Sequence, residues 1–411
     1  LAGVDDDPHI ESLNMQSSAG WAWNRGKGKE HLLERGDDGR PIRISSEVLA
    51  DAVEERIRMA EKCVRVQSGW LPCKKNERLP LKKIRLGKTR IFVACPVDYT
   101  IVFRMYFGAF VAHIVRHRLK CFSAVGIDSW STDWTELADN LLRVSDCIVA
   151  TDVSNFDGSV SPQMLDAFTE IVNEWYDDSD VNKNVRRTLM HECAHCPHVV
   201  YDLVYYTVRG NQSGIPATTH INSIVNCIYM RVCWLKLTRL SLGHFHRFVR
   251  MYFYGDDMIG AVDSSVVSKF NSVTCAEYLS TQGITVTSSM KDEQLVPYVG
   301  IDEATFLKCG FRREGMIWHS LMAEQTIREL TNWVTESKPD LVVSALMANL
   351  NDALRFMYHY GVEEFKVFRN RVRACLIANE IQPVLYNYDY FNQMFNGEIE
   401  YKPLYIDDFS M

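Results

Sequence analysis

Two adjacent carboxylates, Asp256 and Asp257, follow a glycine inside the otherwise apolar run Met251-Tyr252-Phe253-Tyr254-Gly255-Asp256-Asp257-Met258-Ile259. Like charges about 4 Å apart repel by roughly 4 kcal/mol at an effective dielectric of 20, and aspartate is rarely buried without a partner. A divalent cation with oxygen ligands removes the conflict. Mg²⁺ takes one or two carboxylates and fills its shell with water and substrate phosphates. A plain solvated Asp-Asp hairpin is the alternative. A second carboxylate is similarly placed: Asp152 lies near the end of the apolar run Cys147-Ile148-Val149-Ala150-Thr151-Asp152-Val153, and Asp157 follows beyond Ser154-Asn155-Phe156. If hairpin and strand lie side by side, Asp152 and Asp256 could hold two ions, Mg²⁺ or Mn²⁺, between them. Two ions about 3.5–4 Å apart clamp the attacking and leaving oxygens of an in-line phosphoryl displacement. Spacing alone does not show that these aspartates meet.

Three other segments carry chemistry. Between Lys74 and Arg90, eight bases (Lys74, Lys75, Arg78, Lys82, Lys83, Arg85, Lys88, Arg90) stand against one acid, Glu77. Such a run suits a triphosphate or a nucleic-acid backbone, or is a solvated basic loop. Gly210-Asn211-Gln212-Ser213-Gly214 leads into Thr218 and Asn222. Glycines let a backbone approach a ligand closely, and residues four apart on a helix share a face, so Thr218 and Asn222 could read a sugar hydroxyl, or simply cap and pack. His191, Cys193, His195, Cys196 and His198 have zinc-like spacings, but no second ligand cluster is evident and a polar stretch is the simpler reading.

The elements that must position these residues follow from periodicity. Ser46 to Val66 has helical spacing, and Asp98 or Thr100 is placed to cap a long helix running to about Leu119. Cys147 to Val153 reads as a buried strand, Pro162 to Trp175 as an amphipathic helix, and Val199 to Val208 as a strand pair. Thr218 to Leu237 is a long helix. Phe245 to Ala261 reads as strand, turn, strand, with further strands after Gly283 and from Thr305 to Arg312. From Ala323 the pattern is mostly helical. Strands interleaved with helices and followed by helices give an α+β core with a helical appendage.

Composition agrees with a folded chain: 411 residues, 47% hydrophobic, 24% charged, net charge −7. The balance leaves no basic footprint of a nucleic-acid partner, and on bulk charge alone the chain reads as a metabolic enzyme. Twelve scattered cysteines do not make a disulfide scaffold and suit a reduced, intracellular protein. No apolar run approaches the roughly 20 residues of a membrane span, so direct membrane insertion is not expected.

In chain order, the Ser17-Ser18-Ala19-Gly20-Trp21 loop, the basic segment, Asp152-x₄-Asp157, Ser213-Gly214-x₃-Thr218-x₃-Asn222, Tyr254-Gly255-Asp256-Asp257, Lys291 and Phe306-Leu307-Lys308 resemble a viral RNA-dependent RNA polymerase of the picornavirus-like kind. A lone Asp-Asp turn is a weak signal; this ordered set, covering Ser17 to Arg313, is a strong one. Departures such as Asn211-Gln212 before Ser213 point to a more distant picorna-like virus, one of insects. The resemblance implies a right hand: residues 1–106 as fingers, 107–162 as palm, 163–206 as a fingers insertion, 207–317 as the rest of the palm and 318–411 as thumb. It implies that Asp152 and Asp256 bind metal, with Asp257 a weaker contact. Asp157, Thr218 and Asn222 match the trio that recognises the ribose 2′-hydroxyl, and Ser213 and Gly214 the loop beside template and incoming base. Lys75, Lys88 and Arg90 match residues on the triphosphate, Lys291 a general acid toward pyrophosphate, Phe306, Leu307 and Lys308 a hairpin gripping the primer, and Ser17, Ser18 and Gly20 the template entrance.

The same resemblance implies an RNA template and primer, NTPs, priming from a protein-linked nucleotide, and other viral proteins at replication complexes in the host cytoplasm. Two departures stand out. Lys75-Asn76-Glu77-Arg78-Leu79 displaces the family's arginine by one position, and only sixteen residues precede Ser17, where the family carries many more. The expectation is an N-terminally incomplete fingers region. A reverse transcriptase also carries a Tyr-x-Asp-Asp turn, but Asp157 with Asn222 argues against one. A non-catalytic RNA-binding replication scaffold is the remaining alternative, opposed by the intact set Asp152, Asp256 and Asp257.

Overall fold

A computed structural model describes every residue except 6, 25–27, 78, 290–293, 335–338 and 402–411. A small hairpin, β1 (Leu33–Arg35) and β2 (Pro41–Ile44), precedes helix α1 (Glu47–Glu61). Strands β3 (Leu71–Lys74) and β4 (Ile91–Ala94) pair across the short helix α2 (Leu81–Arg85). Helices α3 (Val97–Arg116) and α4 (Asp133–Leu142) lead to strand β5 (Ile148–Val153). The single turn α5 (Phe156–Ser159), helices α6 (Pro162–Tyr176) and α7 (Asp180–Ala194), and the hairpin β6 (Pro197–Val200) and β7 (Leu203–Tyr206) follow. Helix α8 (Thr218–Thr238) and the short α9 (Phe245–Phe248) precede the hairpin β8 (Val249–Tyr254) and β9 (Asp257–Val262). Then come α10 (Ser272–Ser280), β10 (Val286–Ser288) and the hairpin β11 (Cys309–Glu314) and β12 (Ile317–Met322). Helices α11 (Glu324–Leu330), α12 (Pro339–Tyr358), α13 (Val362–Ala378) and α14 (Tyr388–Phe395) complete the chain.

The central sheet is antiparallel, in the order β10-β5-β9-β8. Successive strand side chains point to opposite faces, and the core divides accordingly. Val149, Met251, Phe253, Met258 and Val262 join the large cluster that includes Val225, Cys233 and Trp234 of α8. Ile148, Tyr252, Ile259 and Ala261 join a second cluster with Trp134, Leu137 and Leu141 of α4 and Phe311 and Trp318 of the β11–β12 hairpin. A sheet covered on both faces explains why Cys147 to Val153 is almost continuously apolar. The C-terminal helices hold their own core around Leu354, Phe365 and Phe391.

Three elements differ from expectation. Asp98 does not cap its helix, which starts after Pro96; its carboxylate instead accepts from Trp23 Nε1 at 2.8 Å and Arg56 Nε at 2.9 Å. Phe245 to Phe248 form a helical turn before β8 rather than strand. The strand placed at Thr305 begins at Cys309 and pairs with β12, a partner the sequence pattern did not reveal.

Arg56 of α1 is fully buried between Asp98 of α3 and Glu192 of α7, and also donates to Ser68 Oγ at 2.8 Å. One guanidinium thus serves two buried carboxylates. Desolvation pushes the Glu192 carboxyl up to about 7, although Arg56 pulls the other way. Removing one member of a buried ion network costs about 3–5 kcal/mol, so Arg56→Met should lower the free energy of urea unfolding by that much. Folding raises the Glu192 pKa above its ordinary value of 4.5, so the folded state binds the proton more tightly. Its stabilisation is complete below the unfolded value and is lost as pH rises to about 7. Glu192→Gln should flatten that part of the stability–pH curve; an unchanged slope would refute the assignment.

Candidate active site

Strand register brings the carboxylates to one end of the sheet. The β5–β9 ladder ends at Thr151 opposite Met258, and the β8–β9 ladder at Tyr254 opposite Asp257. One further step along β5 is Asp152, which lies opposite Thr287 of β10. Asp152 and the Gly255-Asp256-Asp257 turn therefore occupy the same end of the sheet. Gly255 has φ +66°, a left-handed conformation that favours glycine. Helix α8 fixes the turn from behind: Gly255 N–H donates to Ser223 Oγ at 2.8 Å, and Asn226 Nδ2 donates to the Asp256 carbonyl at 3.1 Å. The Ser223 hydroxyl in turn donates to Thr219 O at 2.7 Å. Among the described residues no three His, Cys, Asp or Glu side chains form a ready-made metal cage. Hard carboxylate oxygens at one strand end suit an ion such as Mg²⁺, which takes one or two carboxylates and fills its shell with water and phosphate.

Beside this strand end lies a polar network. Asn155 takes a left-handed conformation (φ 53°) and opens the α5 turn that carries Asp157. Asp157 Oδ1 accepts from Asn222 Nδ2 at 2.5 Å, and Asp157 Oδ2 accepts from the Ser213 hydroxyl. Asn222 Oδ1 accepts from Asn211 Nδ2 at 2.8 Å. Thr218 is turned elsewhere: its hydroxyl lies 3.1 Å from Gln212 O and 3.0 Å from Ile215 O, and accepts from Gly214 N–H at 3.3 Å. Thr218 shapes the glycine loop, while Asp157, Ser213 and Asn222 come together directly. The loop leans on β4, where Val93 N–H donates to Ser213 O at 3.1 Å. A Cβ on Gly214 would sit 2.0 Å from the Val93 carbonyl oxygen, so glycine is required by close approach.

The other candidates lie around this centre. Lys75, Lys88 and Arg90 are exposed. Arg90 makes a forked ion pair with Glu77, with Nε 2.8 and 2.9 Å from the two carboxylate oxygens. That pairing raises the Arg90 pKa, and Asp256 adds to the effect, so the basic segment lies within electrostatic reach of the aspartate turn. Ser17 and Ser18 are exposed and Gly20 is buried. Gly20 has φ +80°, and a Cβ there would lie 2.5 Å from the Cys95 carbonyl oxygen. The loop is held by Lys29, whose buried ammonium donates to Asn14 O at 2.9 Å, Ser17 O at 2.7 Å and Ser17 Oγ at 2.6 Å; burial pulls its pKa down to about 8. Phe306 packs into the core near Trp134, ring centroids 6.3 Å apart. Leu307 and Lys308 form a left-handed turn (φ 51° and 64°) that leaves Lys308 exposed. Lys291 lies outside the described residues. The Cys/His stretch is divided among separate partners: His191 pairs with Asp166 at 3.1 Å, Cys196 meets Thr207, and His198 Nδ1 lies 2.9 Å from Tyr205 OH.

Residues 2–371 match the family described as viral RNA-dependent RNA polymerase. The chain belongs to that family. It is 30% identical over 348 residues to the replicase polyprotein of Acute bee paralysis virus (strain Rothamsted), covering 81% of this chain and 18% of the polyprotein. It is 31% identical over 391 residues to the genome polyprotein of Deformed wing virus, covering 90% of this chain and 13% of that one. The chain thus spans under a fifth of these curated relatives. A Sicinivirus 3Dpol RNA-dependent RNA polymerase structure superposes with a TM-score of 0.80 at 20% identity, over 97% of this chain and 80% of that one. At that identity the likeness shows the fold: an α+β right-hand polymerase.

Sequence reasoning passed over Ser223 and Asn226, and it gave Asn211 no role of its own. The first two had a signal in their spacing: Thr219 and Ser223, like Asn222 and Asn226, stand four apart and so share a helix face. The polymerase's close glycine contact gives a direct test. Gly214→Ala should destabilise the polymerase by about 1–3 kcal/mol, the cost of overpacking. Gly108, inside α3 with open space at its Cβ position, should instead gain about 0.5–1 kcal/mol on Gly108→Ala. Thermal melts of both variants check the opposite signs.

Proposed function

We propose that this polymerase copies RNA templates into RNA, adding the α-phosphate of an incoming NTP to a primer 3′-hydroxyl. The observation that carries the reading is the strand register that brings Asp152 to the Gly255-Asp256-Asp257 turn, with the Asp157–Asn222–Ser213 network beside it. Members of the family use divalent metals. Here Asp152 and Asp256 would hold two Mg²⁺ ions, with Asp257 an outer contact. When bound, they would supply charge for the displaced pyrophosphate and a lowered pKa for the attacking hydroxyl.

The chain's own side chains do the rest. Asp157 and Asn222 offer an acceptor and a donor to a 2′-hydroxyl, the group that separates RNA from DNA. Lys75, Lys88 and Arg90 place positive charge near the leaving phosphates. Ser17, Ser18 and Lys308 are exposed polar residues that template and primer could reach. On this reading residues 1–106 and 163–206 act as fingers, 107–162 and 207–317 as palm and 318–411 as thumb. The relatives' polyprotein origin supports other viral proteins as partners; a protein primer and work in the host cytoplasm are part of the same proposal. No helix among the described residues is long and apolar enough to cross a membrane.

Primer extension on an RNA template with Mg²⁺ should incorporate rNTPs far more readily than dNTPs; equal use of both would overturn the assignment. Asp256→Ala should cut elongation by at least about 10³-fold, the scale of several kcal/mol of metal stabilisation. The variant should keep most RNA binding in a filter or anisotropy assay. Retained elongation would remove Asp256 from catalysis.

A further inference from the structure

We propose that Asn211 is a positioning residue for sugar selection, fixing which end of the Asn222 amide meets Asp157. The inference rests on the polymerase reading above and adds a residue that acts through Asn222 rather than on substrate. Asn211 is 2% exposed. Its Nδ2 donates to Asn222 Oδ1 at 2.8 Å and to Thr218 O at 3.2 Å, and its backbone N–H donates to the Asp157 carbonyl at 2.8 Å. Gly210 beside it, with φ +108°, donates its N–H to Val160 O at 2.8 Å. The segment is thus laid along the turn that carries Asp157.

The order of the two amides is determined from both ends. Oxygen and nitrogen of a side-chain amide can exchange places, and only the surrounding donors and acceptors decide between them. At one end the Thr218 carbonyl accepts, so Asn211 must present nitrogen. At the other, both Asp157 oxygens accept, Oδ2 from the Ser213 hydroxyl and Oδ1 from Asn222, so Asn222 must present nitrogen, as it does at 2.5 Å. The one arrangement that satisfies both ends joins Asn211 nitrogen to Asn222 oxygen. Turning Asn222 over would set its oxygen against the Asp157 carboxylate and its nitrogen against the Asn211 donor. Asn211 Oδ1 is itself buried without a hydrogen-bond partner. A buried acceptor left unmatched is unfavourable, so the value of the side chain lies in what its nitrogen holds.

This role is distinct from that of the sugar-facing groups. Asp157 and Asn222 would touch the ribose; Asn211 would keep their polarity correct before a nucleotide arrives. Replacing its amide by a carboxylate of the same shape, Asn211→Asp, puts an acceptor against Asn222 Oδ1 and Thr218 O. Asn211→Leu removes the donor at similar volume. Asn211→Asp then competes with Asp157 for the Asn222 nitrogen, and Asn211→Leu leaves Asp157 alone to orient the amide.

The test compares kcat/KM for an rNTP and its matching 2′-dNTP in primer extension. The ratio should fall about tenfold in Asn211→Asp and Asn211→Leu, the scale of a lost charge-assisted hydrogen bond. Adding Asn211→Leu to Asn222→Leu should leave the ratio where Asn222→Leu alone puts it, because residues acting in one chain are not additive. Equal losses on both nucleotides with an unchanged ratio would overturn the proposal, as would additive falls in the double variant. Failure of both single variants to fold, read by thermal melting, would make the amide a staple of the fold and also overturn it. A wild-type chain that extends with neither nucleotide would defeat the polymerase reading first, and this inference with it.

Discussion

The grip of helix α8 on the β8–β9 turn is the constraint on which the rest of the site depends. Ser223 and Asn226 bond the backbone of Gly255 and Asp256, and Asn222, next to Ser223 on the same helix, bonds Asp157. On the proposed reading, the groups that would bind metal and read the sugar are therefore indexed to one rod. Helix α8 is buried along most of its length, with Val225, Cys233 and Trp234 in the core shared with the sheet. Apolar packing sets the position of the rod, and its few polar positions then set the position of the chemistry.

A second polar centre works by a different balance. Arg56, Asp98 and Glu192 tie α1, α3 and α7 together away from solvent. Two carboxylates and one guanidinium would carry a net negative charge in a medium that penalises it. Glu192 relieves this by holding its proton more readily. The network fixes three helices relative to one another, and with them the Ser17–Gly20 loop, since Val97 at the start of α3 donates to the Ala19 carbonyl at 2.9 Å.

Much of this was legible in the sequence, for identifiable reasons. Elements buried on both faces or on one clear stripe, such as β5, α6 and α8, declare themselves by apolar period. The candidate residues declare themselves by being polar where that period demands apolar: Asp152 at the end of β5 and Asp256 in a hairpin. Bulk charge misled, because a net −7 averages acids on the sheet end with bases between Lys74 and Arg90. Asp98 misled because a helix-start aspartate looks like a cap, and only tertiary contact shows Arg56 and Trp23 claiming it. Asn211 showed only as a departure within the glycine loop, and its role stayed hidden because it comes from Asn222, eleven residues on. The β11–β12 pairing was hidden because the stretch from Arg313 to Met322, which holds the partner strand, was given no element from its pattern.

The contact between Gly214 and Val93 has a wider consequence. There the backbone of β4, which follows directly on the basic segment, meets the backbone of the loop that places Ser213 against Asp157, with no side chain between to act as a cushion. On the proposed reading, β4 continues from the residues that face the triphosphate, and the loop belongs to the part that inspects the sugar. Joined this way, the two behave as the jaws of a caliper. A nucleotide is gauged by the span from its phosphates to its 2′ position, and seating one end at the wrong depth displaces the feature that checks the other.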